Sequence, residues 1–207
     1  MFGLTTQELA IFRRLSTPIK IQDFLDALPI NFEKKEETYY SPRRVLRERV
    51  AHCMEGALFA AVALWLHGEE PLILDLKADG DDDHVVALYR RAGFWGAISK
   101  TNHATLRFRD PVYRSPRELA ISYFHEYFVN DTGKKVLRSY SRPMNLARFG
   151  EGWVTAEENL FWLVEALDNT AHYELAPKEN LRFLRPADEM ERKAGRLIEW
   201  RPGPRRA

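Results

Sequence analysis

The sequence predicts an α+β fold in which a central helix packs on a small antiparallel sheet and further helices flank the two. Two patterns favour this class. The stretch GALFAAVALWL, residues 56–66, is apolar on nearly every side, which is typical of a helix buried in a core. Residues 71–78, 84–92 and 94–100 are short runs rich in β-branched and aromatic residues, separated by turn-forming sequences, which is typical of strands.

Three helices are predicted ahead of the central one. Thr5 and Glu8 fit a capping box, and apolar residues then recur at helical spacing, so residues 6–15 form the first helix. The run IQDFLDAL, residues 21–28, forms a second short helix. After a polar connection, Ser41 starts a third helix as its cap, because the proline that follows suits the first helical turn.

The central helix and a hairpin form the middle of the predicted fold. Cys53 falls at the cap or in the first turn of this helix. The strands at 84–92 and 94–100 pair as an antiparallel hairpin. If the turn centres near Ala92, His84 at the start of the first strand lies opposite residue 99 or 100.

Helices dominate the prediction for the remaining chain. Ser115 with Glu118 opens one helix, Thr155 with Glu158 opens another, and residues 188–200 form a terminal helix. The run KKVLRSYSRP between the first two offers a further strand. The helix after Thr155 carries a continuous apolar stripe that we expect to be buried, formed by Leu160, Phe161, Leu163, Val164 and Leu167.

Composition and length limit the domain organisation and the partners. We expect residues 1–135 to form a core with its N-terminal helices, and residues 136–207 to form a mainly helical annex packed on that core. Lys and Arg number 31 against 30 Asp and Glu, a net charge of +1, which does not favour nucleic acid or a membrane surface as a partner. One cysteine cannot form an intramolecular disulfide, and the longest apolar run is shorter than the ~20 residues of a membrane helix. We therefore expect a soluble, cytoplasmic protein, whose oligomeric state the sequence leaves open.

Cys53, the single cysteine, is the first candidate functional residue. A lone cysteine is commonly a small apolar core residue. At a helix N-terminus, however, the helix dipole lowers the pKa of the thiol toward the nucleophilic thiolate. His84 is the candidate base, since it begins a strand directly after an acidic loop. Hairpin geometry offers Ser99 beside His84 and Asn102 slightly beyond it as the residue that orients the imidazole.

Two adjoining stretches resemble the transglutaminase-like superfamily, whose core is papain-like. They are AHCMEGALFAAVALWLHGEEPLILDL, residues 51–76, and DDDHVVALYRRAGFWGAISKTN, residues 81–102, within a similarity that covers about residues 42–114. The resemblance implies that Cys53 is the nucleophile and His84 the base. It also implies acyl transfer from a peptide or amide substrate through a thioester, ending in hydrolysis or in transfer to an amine.

The third catalytic position departs from the pattern of this superfamily. Four residues after Trp95, where the superfamily tends to have Asp, this chain has Ser99. We expect Asn102 to contact His84, because an amide oxygen holds an imidazole better than a hydroxyl that rotates; Ser99 and, more distantly, Asp110 are alternatives. The missing Asp also supports a second hypothesis, a non-catalytic binding module with the same fold.

Two neighbouring features carry weaker signals. The acidic loop KADGDDDH could bind a metal through Asp81, Asp83 and His84, but it lacks the spacing of a calcium loop, and a solvated turn is the favoured interpretation. His52 adjoins Cys53, but neighbours along a helix point in different directions, so we expect no role for it. The predicted site therefore uses no metal and no organic cofactor.

Overall fold

The computed structural model describes residues 2–33 and 36–198. Before the central helix it has α1 (Thr6–Arg14), α2 (Pro18–Asp26) and α3 (Pro42–Glu48). The predicted capping box of α1 is present, and Ser41 caps α3 with proline in the first turn. Helix α2 starts three residues before the predicted second helix, because Thr17 caps it and proline again occupies the first turn.

The central helix, α4 (Cys53–Leu66), is buried along almost its whole length. Its residues from Met54 to Leu64 are all inaccessible, as expected for a sequence that is apolar on every side. Gly56 allows the closest approach to the sheet: a Cβ there would lie 2.4 Å from Cβ of Lys100. The N-terminal end of α4 is thus held against the strand end that carries Ser99.

The sheet is antiparallel and begins with β1 (Leu72–Ala78), β2 (His84–Arg91), β3 (Phe94–Ser99) and β4 (Arg109–Tyr113). The α+β class is therefore confirmed. The hairpin of β2 and β3 turns at Ala92 and Gly93, which both have positive φ, 49° and 86°, the pattern of a type I′ turn. This two-residue turn sets Val86 opposite Ser99, so the register differs by one or two residues from the predicted pairing of His84 with residue 99 or 100.

Core side chains cover both faces of this sheet. One face packs on α4 and the N-terminal helices, and receives Ile73, Val85, Ala87 and Ile98. The other face receives Leu74, Leu76, Val86 and Leu88, and packs against α5 (Pro116–Ser122) and the residues that follow it. Apolar residues cover both faces of the inner strands, so these strands read as nearly continuous apolar runs.

The segment after residue 135 contributes strands to the same sheet as well as helices. It contains β5 (Leu137–Ser141), β6 (Met144–Asn145), α6 (Phe161–Asp168), β7 (His172–Glu174) and α7 (Glu189–Gly195), with short 3-10 turns at 146–149, 152–154 and 178–183. Strands β5 and β6 pair with β1, and β7 pairs with β5, which gives the order β4-β3-β2-β1-β5-β7. The region predicted as a mainly helical annex therefore shares its sheet with the core.

Helix α6 differs from its prediction at its start. Thr155 does not open it. Helix α6 begins at Phe161, because Asn159 and Leu160 are hydrogen-bonded to the backbone of Tyr39. The later start turns Phe161 outward to 48% exposure, so the prediction that it is buried is wrong. Burial is confirmed for Leu160, Leu163 and Leu167, and Val164 is partly buried.

The last predicted helix is present in its first part. Helix α7 lies within the predicted helix 188–200, whose last two residues are outside the described residues.

Within residues 2–33 and 36–198, no single helix is long and apolar enough to cross a membrane. The pair α3 and α4 meets that criterion together, but the two helices are bent by 112° relative to each other.

Candidate active site

Cys53 lies at the first position of α4 and faces a cavity of about 570 Å³. The cavity opens between the end of the sheet that carries His84, the loop ahead of α3 and the last turn of α6. The cysteine is partly exposed there, and its Sγ lies 3.9 Å from the carbonyl oxygen of Asp83, to which the thiol donates. The cysteine therefore borders the cavity.

His52 caps α4 directly before the cysteine. Its Nδ1 accepts from the N–H of Met54 at 3.3 Å, and its Nε2 donates to the carbonyl of Thr38 at 2.8 Å. The carboxylate of Glu55 completes a capping box by accepting from the backbone N–H of His52 at 2.9 Å. The prediction that His52 has no role at the site is wrong, because a cap residue lies outside the helix and its ring turns back over the first turn.

A buried polar network holds His52 in place. Glu55 is fully buried, and its carboxylate accepts from the backbone N–H of Tyr40 at 2.9 Å and from Asn31 Nδ2 at 3.1 Å. Thr38, whose carbonyl receives His52, donates its own hydroxyl toward Glu55 at 3.4 Å. Burial raises the pKa of Glu55, against the lowering effects of His52 and these hydrogen bonds. The network fixes the loop before α3 to the first turn of α4.

The electrostatics of the site favour the thiolate of Cys53. Burial raises the pKa of this thiol, but hydrogen bonds from His52 and His84, together with the charges of their rings, lower it to about 5. For His52 the effects have the opposite sign. Burial lowers the pKa of its ring, while the hydrogen bond and charge of Cys53 and the charge of Glu55 raise it to about 9. These opposite shifts favour a thiolate on Cys53 and a positive charge on His52.

His84 begins β2 and is buried, and the hydrogen bonds around it define its tautomer. Its Nε2 lies 2.8 Å from Ser99 Oγ. The single hydroxyl proton of Ser99 is donated to the carbonyl of Leu106 at 2.5 Å, so Ser99 accepts from Nε2–H of His84. This leaves Nδ1 of His84 without a proton in the neutral ring, so Nδ1 can accept one.

Ser99 is itself held rigidly. Gln22, a buried residue of α2, donates through Nε2 to the Ser99 carbonyl at 2.8 Å and accepts through Oε1 from the Ser99 N–H at 2.9 Å. This pair of bonds fixes the end of β3 against α2. The hydroxyl that orients His84 is thus attached to a backbone that cannot shift.

Asn102 does not make the predicted contact with His84. Strand β3 ends at Ser99, and the next residue, Lys100, turns inward to donate to the carbonyl of Leu28 at 2.5 Å. The chain therefore leaves the strand direction before it reaches Asn102, which lines the cavity instead. Ser99, the first alternative, makes the contact with His84 that we predicted for Asn102, and the more distant alternative, Asp110, is exposed on β4.

Asp75 and His172 form a polar pair that the sequence analysis missed. Asp75, 2% exposed, lies in the middle of β1, and its Oδ2 is 3.0 Å from His172 Nε2 on β7. Burial and the charge of Asp83 raise the pKa of Asp75 to about 6, against the lowering effect of His172. The available signal was a single carboxylate inside an otherwise apolar strand, LILDL, which a core tolerates only with a partner.

The acidic loop between β1 and β2 forms one wall of the cavity. The backbone N–H of Ala78 donates to the Asp83 carboxylate at 2.7 Å, and the phenol of Tyr127 donates to the carbonyl of Asp82. Burial and the negative charge of Cys53 raise the pKa of Tyr127, so its phenol stays protonated as this donor. The grouping of Asp81, Asp83 and His84 considered from the sequence is not formed; Asp83 lies with Asp75 and Asp168 instead.

Comparison with known proteins leaves the family of this chain open. No protein-family model matches it, and no curated protein matches it. Support for the chemistry of the site therefore comes from the geometry of the site itself.

Proposed function

We propose that the protein is a cysteine-dependent hydrolase or acyl transferase that acts on a peptide or amide through a thioester at Cys53. One observation carries the proposal: the single cysteine lies at a helix N-terminus, faces a cavity, and has a thiol pKa lowered to about 5 by two histidines. Surface or core cysteines have no such surroundings, and a thiolate at neutral pH is the form that attacks carbonyl groups.

The proposed reaction uses four side chains in defined roles. The thiolate of Cys53 attacks the amide carbonyl carbon and forms a tetrahedral intermediate. His84, which has taken the proton of the Cys53 thiol, gives it to the leaving nitrogen as the C–N bond breaks, which leaves a thioester on Cys53. The neutral ring then takes a proton from water or from an amine that attacks the thioester, and the free thiolate returns. Throughout, Ser99 holds the His84 ring, and His52 compensates the charge of the sulfur.

Two sequence features agree with this proposal. The order of a helix with Cys53, a strand that begins with His84 and a partner strand resembles the transglutaminase-like superfamily. A single cysteine, which cannot be consumed in an intramolecular disulfide, suits a cytoplasmic enzyme with a free thiol. The proposed location is therefore the cytoplasm.

A non-catalytic binding module is the second candidate. The observation that favours it is the hydroxyl of Ser99 in the position where a carboxylate would stabilise an imidazolium more strongly. In that case the cavity binds a peptide or amide without cleaving it.

Acylation of Cys53 separates the two candidates. The protein is mixed with p-nitrophenyl acetate, nitrophenol release is followed by absorbance, and the acetyl adduct is located by mass spectrometry. An enzyme gives rapid acetylation at Cys53 followed by continued nitrophenol release. Cys53→Ala abolishes both signals, and His84→Ala slows the release that depends on thioester hydrolysis. Acetylation no faster than that of a free thiol at the same pH would reject the enzyme and favour the binding module.

A further inference from the structure

The cavity at Cys53 is strongly acidic. Among the described residues that line it, seven are Asp or Glu, and Lys100 is the one lysine or arginine. The ammonium of Lys100 donates to the backbone carbonyl of Leu28 within the core. The lining therefore presents an excess of negative charge to whatever enters, and such clefts concentrate cations.

Three of these carboxylates meet at one point. Asp75 on β1, Asp83 before β2 and Asp168 at the end of α6 each place an oxygen within 4.8 Å of the others. Asp75 adds a second and independent observation. Although this residue is 2% exposed, its Oδ1 has no hydrogen-bond partner among the described residues. An orphaned buried carboxylate oxygen at a cavity wall requires a donor that enters from outside.

Lys77 satisfies the group only in part. Its Nζ lies 3.4 Å from Asp168 Oδ1 and 3.7 Å from Asp83 Oδ2, and its side chain is 42% exposed. Such long, solvated ion pairs contribute little. The ammonium of Lys77 thus contacts Asp83 and Asp168, whereas Oδ1 of Asp75 has no hydrogen-bond partner among the described residues.

The distance to the nucleophile connects this cluster with the reaction. The carbonyl oxygen of Asp83 is 3.9 Å from Sγ of Cys53, so the residue that supplies one carboxylate also borders the sulfur. Asp75 and Asp168 line the same cavity as Cys53 and Asp83. A molecule bound in this cavity can therefore present a cationic group to the carboxylates and a carbonyl group to the thiolate.

We propose that the carboxylates of Asp75, Asp83 and Asp168 form a specificity subsite for an ammonium or guanidinium group of the substrate. This inference rests on the proposed function, because it names the substrate class of the same site: amides or peptides with a cationic side chain close to the reacting carbonyl. Recognition consists of donation from the N–H groups of the cation to the three carboxylates, including the unpaired Oδ1 of Asp75.

The first experiment compares thiol reagents of opposite charge on Cys53, the single cysteine. Rates of modification by 2-aminoethyl methanethiosulfonate, a cation, and by 2-sulfonatoethyl methanethiosulfonate, an anion, are measured by mass spectrometry. The rate with the cation is divided by the rate with the anion, and this ratio is then divided by the same ratio measured for 2-mercaptoethanol. We expect Asp168→Asn to lower this ratio about tenfold, as removal of a nearby unit charge predicts. Asp168 is half exposed, so this variant is expected to fold, and Asp75→Asn gives the same effect if stable.

A matched control removes an acidic residue outside the cavity. Asp79 is exposed, follows β1 directly and pairs with Lys134 and Arg138. The Asp79→Asn variant is expected to keep the ratio of the parent protein. An equal fall in Asp79→Asn and Asp168→Asn would show a general field effect and overturn the subsite.

The second experiment tests recognition itself. N-acetylarginine amide is expected to protect Cys53 from the neutral reagent methyl methanethiosulfonate, whereas its uncharged counterpart N-acetylcitrulline amide is not. Asp168→Asn abolishes the protection. Equal protection by both amides, protection by neither, or protection by Mn²⁺ alone would overturn the proposal, the last in favour of a metal site. The pH dependence of the neutral reagent tests the lowered thiol pKa separately, so a failure of the proposed catalysis is distinguishable from a failure of the subsite.

Discussion

Replacement of His52 by asparagine tests the origin of the lowered thiol pKa. Asparagine is a strong N-cap residue, so it can still accept from the first turn of α4, but it carries no charge. The change therefore separates the capping role of His52 from its electrostatic role. Both roles otherwise depend on the same ring.

The expected magnitude follows from the contacts of the sulfur. A hydrogen bond to a charged group contributes about 1.5–3 kcal/mol, and one pKa unit corresponds to about 1.36 kcal/mol. Loss of the His52 contact should therefore raise the pKa of Cys53 by about 1–2 units, from about 5 to about 6–7. The remaining contact with His84 and the helix dipole keep it below that of a free thiol, about 8.5.

The assay is the rate of alkylation by iodoacetamide between pH 4.5 and 9.5, with the adduct counted by mass spectrometry. A lowered pKa means that the thiolate is present above it and is lost as the pH falls through it. The parent protein should thus react at a nearly constant rate above pH ~6.5, and His52→Asn should lose rate below pH ~8. His103→Asn, another histidine of the cavity, serves as the control and should keep the parent profile. Identical profiles for His52→Asn and the parent would refute the role assigned to His52.

Three further predictions concern the orienting serine, the helix contact and the hairpin turn. Ser99→Ala should slow acylation of Cys53 by up to about 100-fold, because the catalytic imidazole loses its orientation, whereas Asn102→Ala should have a smaller effect. Gly56→Ala should lower the free energy of unfolding by about 1–3 kcal/mol, measured by urea denaturation, because its new Cβ would lie 2.4 Å from Cβ of Lys100, the residue after β3. Ala92→Asn should raise the free energy of unfolding by about 1 kcal/mol, since φ is +49° there and asparagine tolerates this conformation.

Each of these predictions has a contrasting result. A larger effect of Asn102→Ala than of Ser99→Ala, in variants of equal stability, would return the orienting role to Asn102. Gly152→Ala is the control for the helix contact, since nothing lies within 4 Å of a Cβ there. Equal stability of the two alanine variants would contradict the close approach of α4 to the sheet. A loss of stability in Ala92→Asn would contradict the type I′ turn.

The sequence predicts the elements of the fold well where caps and periodicity agree. The capping box of Thr5 and the serine caps of α3 and α5 begin helices as predicted. The same motif at Thr155 fails, because tertiary bonds from Asn159 and Leu160 to Tyr39 hold that segment outside the helix. A local pattern cannot reveal a competing contact from a residue more than 100 positions away.

At the site, the sequence predicts the positions of Cys53 and His84 better than their surroundings. Each of these residues starts a regular element after a turn, which a local pattern can reveal. Whether Ser99 or Asn102 contacts His84 depends on the pairing register of the β2–β3 hairpin and on where β3 ends. Residue propensities do not determine either. The sequence around Asp75 indicates that this carboxylate needs a partner, but not that His172 supplies it, because 97 residues separate the two.

The long separations within the site also affect how the chain folds. Gln22 joins Ser99 across 77 residues, and Asp75 joins His172 across 97, so the complete cavity requires closure of several large loops. Contacts of this range carry a high entropic cost and slow the folding of sheet proteins. We infer that His84 is fixed only when β3 and α2 have docked. During refolding, iodoacetamide labelling of Cys53 at mildly acidic pH should therefore reach its native rate late, so the thiol reports the completion of the native state.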